Sequence, residues 1–290
     1  MASLAPFPVV VHPIPSETPN LVAYERGASP TLENALVFIG GLTEGPHTNA
    51  AVGTIADKLE GSGFGVWELR MRSSFAGFGY SKLSNDVEDL SCLVAYLRKL
   101  GKKKIVLLGA STGCQDCLLY SQTKEKPVDG YVLLSPVSDR HAAGLLMSSV
   151  EYEASVKHAQ GMISEGKENE AMPTSLIPFI FTSPITAYRW NSLGAKGGDD
   201  DYFSSDLDDA AVKARFGKVD KSILLLPGEQ DELVLPSVDK KDLLERWIKG
   251  CPEGTVSQLS RLIPKADHAI SDPDAQAWVG STVRRFLETL

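Results

Sequence analysis

Short apolar segments alternate with amphipathic, helix-period segments along this chain, and this alternation is the feature that most limits its fold. Residues 35–39 and 105–108 are continuous apolar runs, each followed directly by glycine. Runs of this kind are typical of strands buried on both faces of a parallel sheet. Between them, residues 86–100 place their apolar side chains on one helix face. The pattern predicts an α/β fold, with a mostly parallel central sheet covered by helices on both faces.

Further segments extend the pattern toward both ends of the chain. Residues 8–12 and 21–25 flank a turn rich in Pro, Ser and Asn and are expected to form an antiparallel hairpin. A final helix is predicted over residues 272–290, with Ser271 as its N-cap. The remaining strands are predicted near residues 65–69, 131–134, 222–226 and 257–263.

The alternation stops between residues 136 and 220. Helix-like stretches there are separated by prolines and by a Gly-Gly-Asp-Asp-Asp run at residues 197–201. Because an insertion of this length is usually functional, we expect a helical lid over residues 136–220 within a single domain of residues 1–290. The lid is rich in acids, which either favour a cationic ligand or lie on a solvated face.

The strand at residues 105–108 runs directly into Gly109-Ala-Ser-Thr-Gly113, which matches the pattern Gly-x-Ser-x-Gly. When this motif joins a buried strand to a helix, its serine lies on a strained turn with the hydroxyl exposed. Residues 114–120 are compatible with a helix, so the structural condition is met. Ser111 is therefore predicted to be a nucleophile, and the alternative is an ordinary turn without a chemical role.

A serine hydroxyl needs an imidazole to take its proton and a carboxylate to orient that imidazole. In chains with this elbow, the acid and then the histidine follow the serine, each after a strand. Three of the five histidines follow Ser111, and two of them, His141 and His158, lie in the insertion. His268 follows the last predicted strand and precedes the last helix, so it is the predicted base. The alternative is a capping or surface histidine.

The predicted acid is Asp231, which lies in the polar turn after the strand at residues 222–226. Glu229 and Glu232 lie in the same turn and remain alternatives. Asp267 is a weaker candidate because it is adjacent to the predicted base, and neighbouring side chains in an extended loop tend to point apart.

Acyl transfer also needs backbone N–H groups aimed at the developing negative oxygen. One donor is expected to be Thr112, directly after the nucleophile, and the other Leu42, in the glycine-rich loop of residues 40–45. An ordinary glycine-rich turn is the alternative for that loop.

Composition and charge argue against several other classes of protein. A net charge of -8 does not suit nucleic-acid binding, and five dispersed histidines without metal-ligand spacing predict no metal or other cofactor. No apolar run approaches the ~18 residues that span a bilayer, so no membrane association is expected. The first residues lack the basic and apolar regions of a secretory signal.

The four cysteines are compatible with reduced thiols, and a cytoplasmic protein is expected. Cys114 and Cys117 form a C-x-x-C pair. It is interpreted as small residues on the first turns of a buried helix, with a redox pair or half of a metal site as the alternative.

With these residues in place, the chain resembles the α/β-hydrolase superfamily over nearly its full length. A narrower resemblance is carried by residues 40–45, 72–79, 109–116, 136–140 and 199–206. On these segments the chain resembles the fungal and plant family of hydrolases known as DUF1749. That resemblance implies an intracellular ester hydrolase, because the best-understood activity in the family is cleavage of ester bonds in fusarinine-type hydroxamate siderophores.

The leading hypothesis is a serine hydrolase that cleaves a small-molecule carboxylic ester through an acyl-enzyme. The alternatives keep the same residues in a thioesterase, amidase, carbon-carbon hydrolase or acyltransferase of a secondary-metabolite pathway. A non-catalytic binding protein on a hydrolase scaffold is a third possibility. The sequence leaves the oligomeric state open. Residues expected to contact the substrate are Gly41, Thr43, Arg140, Tyr188 and Arg189.

Overall fold

The computed structural model describes residues 6–27, 32–123 and 126–290. Their strands are β1 (Val9–Pro13), β2 (Val22–Arg26), β3 (Asn34–Ile39), β4 (Phe64–Arg70), β5 (Ile105–Ala110), β6 (Gly130–Leu134) and β7 (Ser222–Leu226). These strands form a seven-stranded sheet in the order β1-β2-β4-β3-β5-β6-β7. In this order, each strand from β4 through β3, β5 and β6 to β7 is parallel to its neighbour, whereas β2 is antiparallel to both β1 and β4. The predicted sheet and its N-terminal hairpin are therefore confirmed.

Helices cover both faces of this sheet. They are α1 (Ala51–Lys58), α2 (Leu83–Lys99), α3 (Gly113–Thr123), α7 (Asp209–Phe216), α8 (Lys240–Gly250) and α9 (Pro273–Leu287). Strand side chains alternate between the faces, so Ile105 and Leu107 of β5 join one buried cluster and Val106 and Leu108 join the other. The first cluster packs under α2, α3, α7 and α8, and the second packs under α1 and α9. This two-sided burial explains why the central strands are continuously apolar.

A cap follows β6 and contains α4 (Asp139–Leu145), α5 (Ser149–Ser164) and α6 (Ala187–Gly194). These helices enclose a small apolar cluster around Trp190, whose indole N–H donates to the Ser155 hydroxyl at 2.9 Å. The next helix, α7, packs against α8 and α3 instead, so it belongs to the layer that covers the sheet. The predicted lid bounds of residues 136–220 stay a prediction.

Two local predictions were wrong. Residues 257–263 do not form a regular strand, because the Ser260 hydroxyl takes the Leu225 N–H that a neighbouring strand would bind, and only single bridges form beside β7. The last helix is capped by Asp272 rather than Ser271, since the Asp272 carboxylate accepts the N–H groups of Asp274 and Ala275. Proline at the first helical position fixes that start.

Cys114 and Cys117 lie on the first turns of α3, both fully buried in the core and both free. Burial raises the pKa of each thiol well above its usual value. Low reactivity follows, because the thiolate is the nucleophile and the metal ligand. Separately, none of the helices in the described ranges combines the length and hydropathy needed to cross a bilayer.

Candidate active site

Ser111 lies on the sharp turn between β5 and α3, with a φ of 53°. A non-glycine residue in this left-handed region costs about 1–2 kcal/mol. The flanking glycines make the turn possible, because a Cβ on Gly109 would lie 2.1 Å from the Gly113 carbonyl oxygen. A Cβ on Gly113 would lie 2.5 Å from the Ile39 carbonyl oxygen. Close packing of strand and helix therefore depends on both glycines and presents the serine at the carboxyl edge of the sheet.

A hydrogen-bonded chain links the three predicted polar residues. The Ser111 Oγ lies 2.9 Å from Nε2 of His268, and Nδ1 of the same ring lies 2.9 Å from Oδ2 of Asp231. The Asp231 carboxylate is fully buried, and its Oδ1 accepts the Leu233 N–H at 3.0 Å. With an ionised Asp231, Nδ1–H donates to the carboxylate and Nε2 is left to accept the serine proton.

The other acids of this region have different contacts. Oε2 of Glu232 accepts the backbone N–H of His268 at 2.9 Å, and Oε2 of Glu229 accepts that of Lys265 at 2.8 Å. The Asp267 carboxylate turns away and accepts the Ser271 N–H at 2.7 Å. The two glutamates thus hold the backbone of the histidine loop, and only Asp231 among these candidates bonds to the imidazole.

The environment of His268 sets its basicity. Burial by itself lowers the pKa of the imidazole, but the hydrogen bond and charge of Asp231, helped by Glu232, raise it above the usual value. The cationic ring is therefore stabilised where it would form during proton transfer.

The loop after β3 passes close to the serine. A Cβ on Gly41 would lie 2.8 Å from the Ser111 Cβ, so glycine is needed for this approach. The Gly41 N–H donates to Oε2 of Glu44 at 2.8 Å, and Asn49 Nδ2 donates to the other carboxylate oxygen at 3.2 Å. Glu44 therefore fixes the backbone of the loop at residues 40–45 by accepting these two hydrogen bonds. The sequence did not predict this role.

The two predicted oxyanion donors lie on either side of the serine. Leu42 is on the tied loop, and Thr112 is the first residue after the elbow. In the described part of the chain, neither backbone N–H donates to a protein acceptor. Two unused N–H groups beside a nucleophile are the arrangement that a developing oxyanion requires.

Two cavities open on Ser111 and His268. One has a volume of about 280 Å³ and lies beneath the cap, where Leu146, Ile180 and Phe181 give it a mainly apolar wall. The other, of about 250 Å³, is lined by the glycine loop and by polar side chains that include Glu44 and Asn49. A substrate bound at Ser111 can thus place an apolar part on one side and a polar part on the other.

Comparison with known proteins decides the family. The model of DUF1749, described as a protein of unknown function, matches residues 1–288. The chain belongs to the DUF1749 family. A UPF0613 protein of Schizosaccharomyces pombe is 32% identical to it, over 90% of this chain and 92% of that protein.

Other relatives carry functional names. The fusarinine C esterase sidJ of Aspergillus fumigatus is 26% identical, over 89% of this chain and 89% of that protein. The structure of the siderophore hydrolase EstB from Aspergillus fumigatus matches with a TM-score of 0.83 and 26% identity, over 98% of both chains. This likeness, with the observed sheet, confirms the α/β-hydrolase fold for this DUF1749 member.

The residues predicted to contact substrate fall into two groups in this DUF1749 chain. Gly41 and Thr43 line the cavities at Ser111. Arg140, Tyr188 and Arg189 line neither of those cavities. Gly41 and Thr43 therefore lie where a substrate at Ser111 could contact them. For Arg140, Tyr188 and Arg189, contact with substrate stays a prediction, and their positions do not favour it.

These three side chains are held away from the cavities by contacts with the acidic run at residues 199–201. The Arg189 guanidinium is buried and donates to Asp200 at 2.6 Å, while Arg140 lies 3.3 Å from Asp201. The Tyr188 hydroxyl donates to Asp199. Asp200 and Asp201 are buried, so these two acids bind side chains within the cap instead of forming a solvated face.

Proposed function

We propose that this chain is a serine hydrolase that cleaves carboxylic esters through an acyl-enzyme at Ser111. The observation that carries the proposal is the hydrogen-bonded chain from Ser111 through His268 to Asp231, with the serine on its strained elbow. The esterase and siderophore-hydrolase names of the relatives support an ester as the bond that is cleaved.

In the proposed reaction, Ser111 Oγ attacks the ester carbonyl carbon while Nε2 of His268 takes the hydroxyl proton. The buried carboxylate of Asp231 stabilises the resulting imidazolium. The N–H groups of Leu42 and Thr112 receive the oxyanion. His268 then protonates the departing alcohol, and water attacks the acyl-enzyme by the same route to release the acid.

The proposed substrate class is a hydroxamate siderophore ester of the fusarinine type, which the names of the two Aspergillus fumigatus relatives support. The two cavities at Ser111 suit an ester with dissimilar halves. We place the enzyme in the cytoplasm, and the four free cysteines support this because reducing compartments keep thiols unpaired.

Covalent labelling tests the nucleophile. We expect a fluorophosphonate probe to label the wild type on one serine and to leave Ser111→Ala unlabelled, because the probe needs an activated hydroxyl. Hydrolysis of para-nitrophenyl esters should be lost in the same variant. Equal labelling of both proteins, or no ester turnover by the wild type, would contradict the proposal.

The tied glycine loop provides a second test. Glu44→Ala removes the acceptor of the Gly41 N–H, so the loop that carries Leu42 should move. We expect kcat to fall about 100-fold, as when one oxyanion donor is lost. Glu44→Gln keeps an amide oxygen for the same N–H and should retain most of kcat. Similar losses in both variants would show that the acceptor is not what matters.

A further inference from the structure

We propose that Asp139, in the cavity beneath the cap, selects esters that carry an ammonium group. This inference rests on the proposed ester hydrolysis at Ser111 and names a substrate class for it. Asp139 lines the same cavity as Ser111 and His268. It is the one carboxyl among the described residues that line this cavity.

The Asp139 carboxylate is fixed beside the nucleophile. Thr112 Oγ1 donates to its Oδ1 at 3.1 Å, and Gln115 Nε2 donates to its Oδ2. Thr112 directly follows Ser111, so the carboxyl is anchored one residue from the reacting hydroxyl. Each carboxylate oxygen can accept more than one hydrogen bond, which leaves capacity for a ligand.

The surroundings of this carboxyl strengthen an interaction with a cation. The cavity wall is largely apolar, with Leu146, Ile180 and Phe181 among its side chains. Charges attract more strongly in such a setting than in water, because the effective dielectric constant is lower. A neutral ester of the same shape gains nothing comparable, so the carboxyl discriminates by charge.

Charged groups of both signs face the Asp139 carboxyl from other elements. Asp200 faces Asp139 from the cap, where the buried Arg189 pairs with Asp200 at 2.6 Å. His268 faces it from the catalytic loop, and Asp116 faces it from α3. Burial, with the charge of Asp200, raises the pKa of Asp139 to about 7, against the opposing effects of Arg189, the Thr112 hydrogen bond and His268. An ammonium group would favour the ionised form and lower that pKa.

The test compares esters matched in shape and different in charge. One pair is the para-nitrophenyl ester of aminohexanoate against that of heptanoate. In the second pair, one ester carries the same ammonium group on its alcohol half and the other carries a neutral group of the same shape there. We expect the wild type to prefer the ammonium ester by about 10- to 100-fold in kcat/KM in at least one pair, as for a hydrogen bond to a charged group. Asp139→Asn should abolish this preference. The ratio of kcat/KM within a pair is the readout, so an effect of the variant that is common to both esters does not change it.

Asparagine is a conservative replacement at this site. Oε1 of Gln115 is buried without a partner among the described residues, so a turned Gln115 amide can accept from the new side chain. Asp199→Asn is the matched control, since it removes the same charge from an exposed cap position outside the cavity. It should keep the wild-type preference for the ammonium ester. Loss of this preference in Asp199→Asn would indicate that the combined negative charge of the cap selects the ester, and it would overturn the proposal.

The pH dependence provides an independent readout. The ratio of kcat/KM for the two esters of a pair cancels the titration of His268, which acts on both. We expect this ratio to rise with pH through about 7 in the wild type and to stay flat in Asp139→Asn. Equal rates for charged and neutral esters, with neutral turnover and Ser111 labelling intact, would overturn the inference alone. Absence of neutral turnover and labelling would overturn the proposed function instead.

Discussion

Replacing His268 with alanine is expected to lower kcat for a neutral aryl ester by about 10⁶-fold, and replacing Ser111 as well should lower it no further. In the proposed reaction the imidazole takes the serine proton, across 2.9 Å. Without it the hydroxyl is a weak nucleophile, and residues that act as one unit lose their effect together. The background rate that survives is set by binding and the oxyanion donors.

The measurement is a double-mutant cycle of kcat for Ser111→Ala, His268→Ala and the double variant. His158→Ala is the control, because this histidine is exposed on the cap and should leave kcat unchanged. Losses that multiply in the double variant would mean that the two residues act independently, which would contradict the proposed unit.

Local sequence was enough to place the central strands and the elbow. A strand covered on both faces must be apolar at every position, so the run before Gly109 could be recognised without tertiary information. The elbow adds glycines at fixed positions around Ser111, each required by a backbone contact. Chain order alone then singled out the loops of His268 and Asp231, which the structure brings within hydrogen-bonding distance.

Long-range pairing between polar side chains could not be predicted. Contact of Arg189 with substrate stays a prediction, and nothing local in its sequence shows that Asp200, 11 residues further along the chain, binds its guanidinium. Asp139 was missed for the same reason, since its contacts with Thr112 and Gln115 join distant parts of the chain. It does lie in the family-specific segment of residues 136–140, the one sequence feature that pointed to this site.

Glu44 illustrates a different limit. Its carboxylate binds a backbone N–H only three residues away, but the glycine-rich composition of residues 40–45 does not reveal which side chain holds the loop. The irregular segment at residues 257–263 has the same origin, because one hydroxyl, that of Ser260, replaces a partner in the strand ladder. Individual side-chain hydrogen bonds of this kind decide loop geometry, and the pattern of apolar residues in a sequence does not reveal them.

Replacing Asp231 with asparagine is expected to lower kcat/KM by about 10⁴-fold while the fold is retained. The carboxylate accepts from Nδ1 of His268, and an asparagine amide that donates there would hold the ring in the wrong tautomer. Asp231 also raises the pKa of His268, so its removal lowers that pKa. Because the reaction needs a neutral imidazole, the acidic limb of the pH profile should move to lower pH.

Glu229→Gln and Glu232→Gln are the matched controls for this prediction. Both glutamates accept backbone N–H groups of the histidine loop, and a glutamine amide oxygen can still do so. We expect kcat/KM to remain within about tenfold of wild type in both variants, since only the acid bonded to the imidazole fixes its tautomer. If Glu232→Gln lost as much activity as Asp231→Asn, the proton-transfer role would have to be shared between the two acids. The pH profile would then separate them, because the hydrogen bond that raises the imidazole pKa comes from Asp231, whereas Glu232 contributes only its charge.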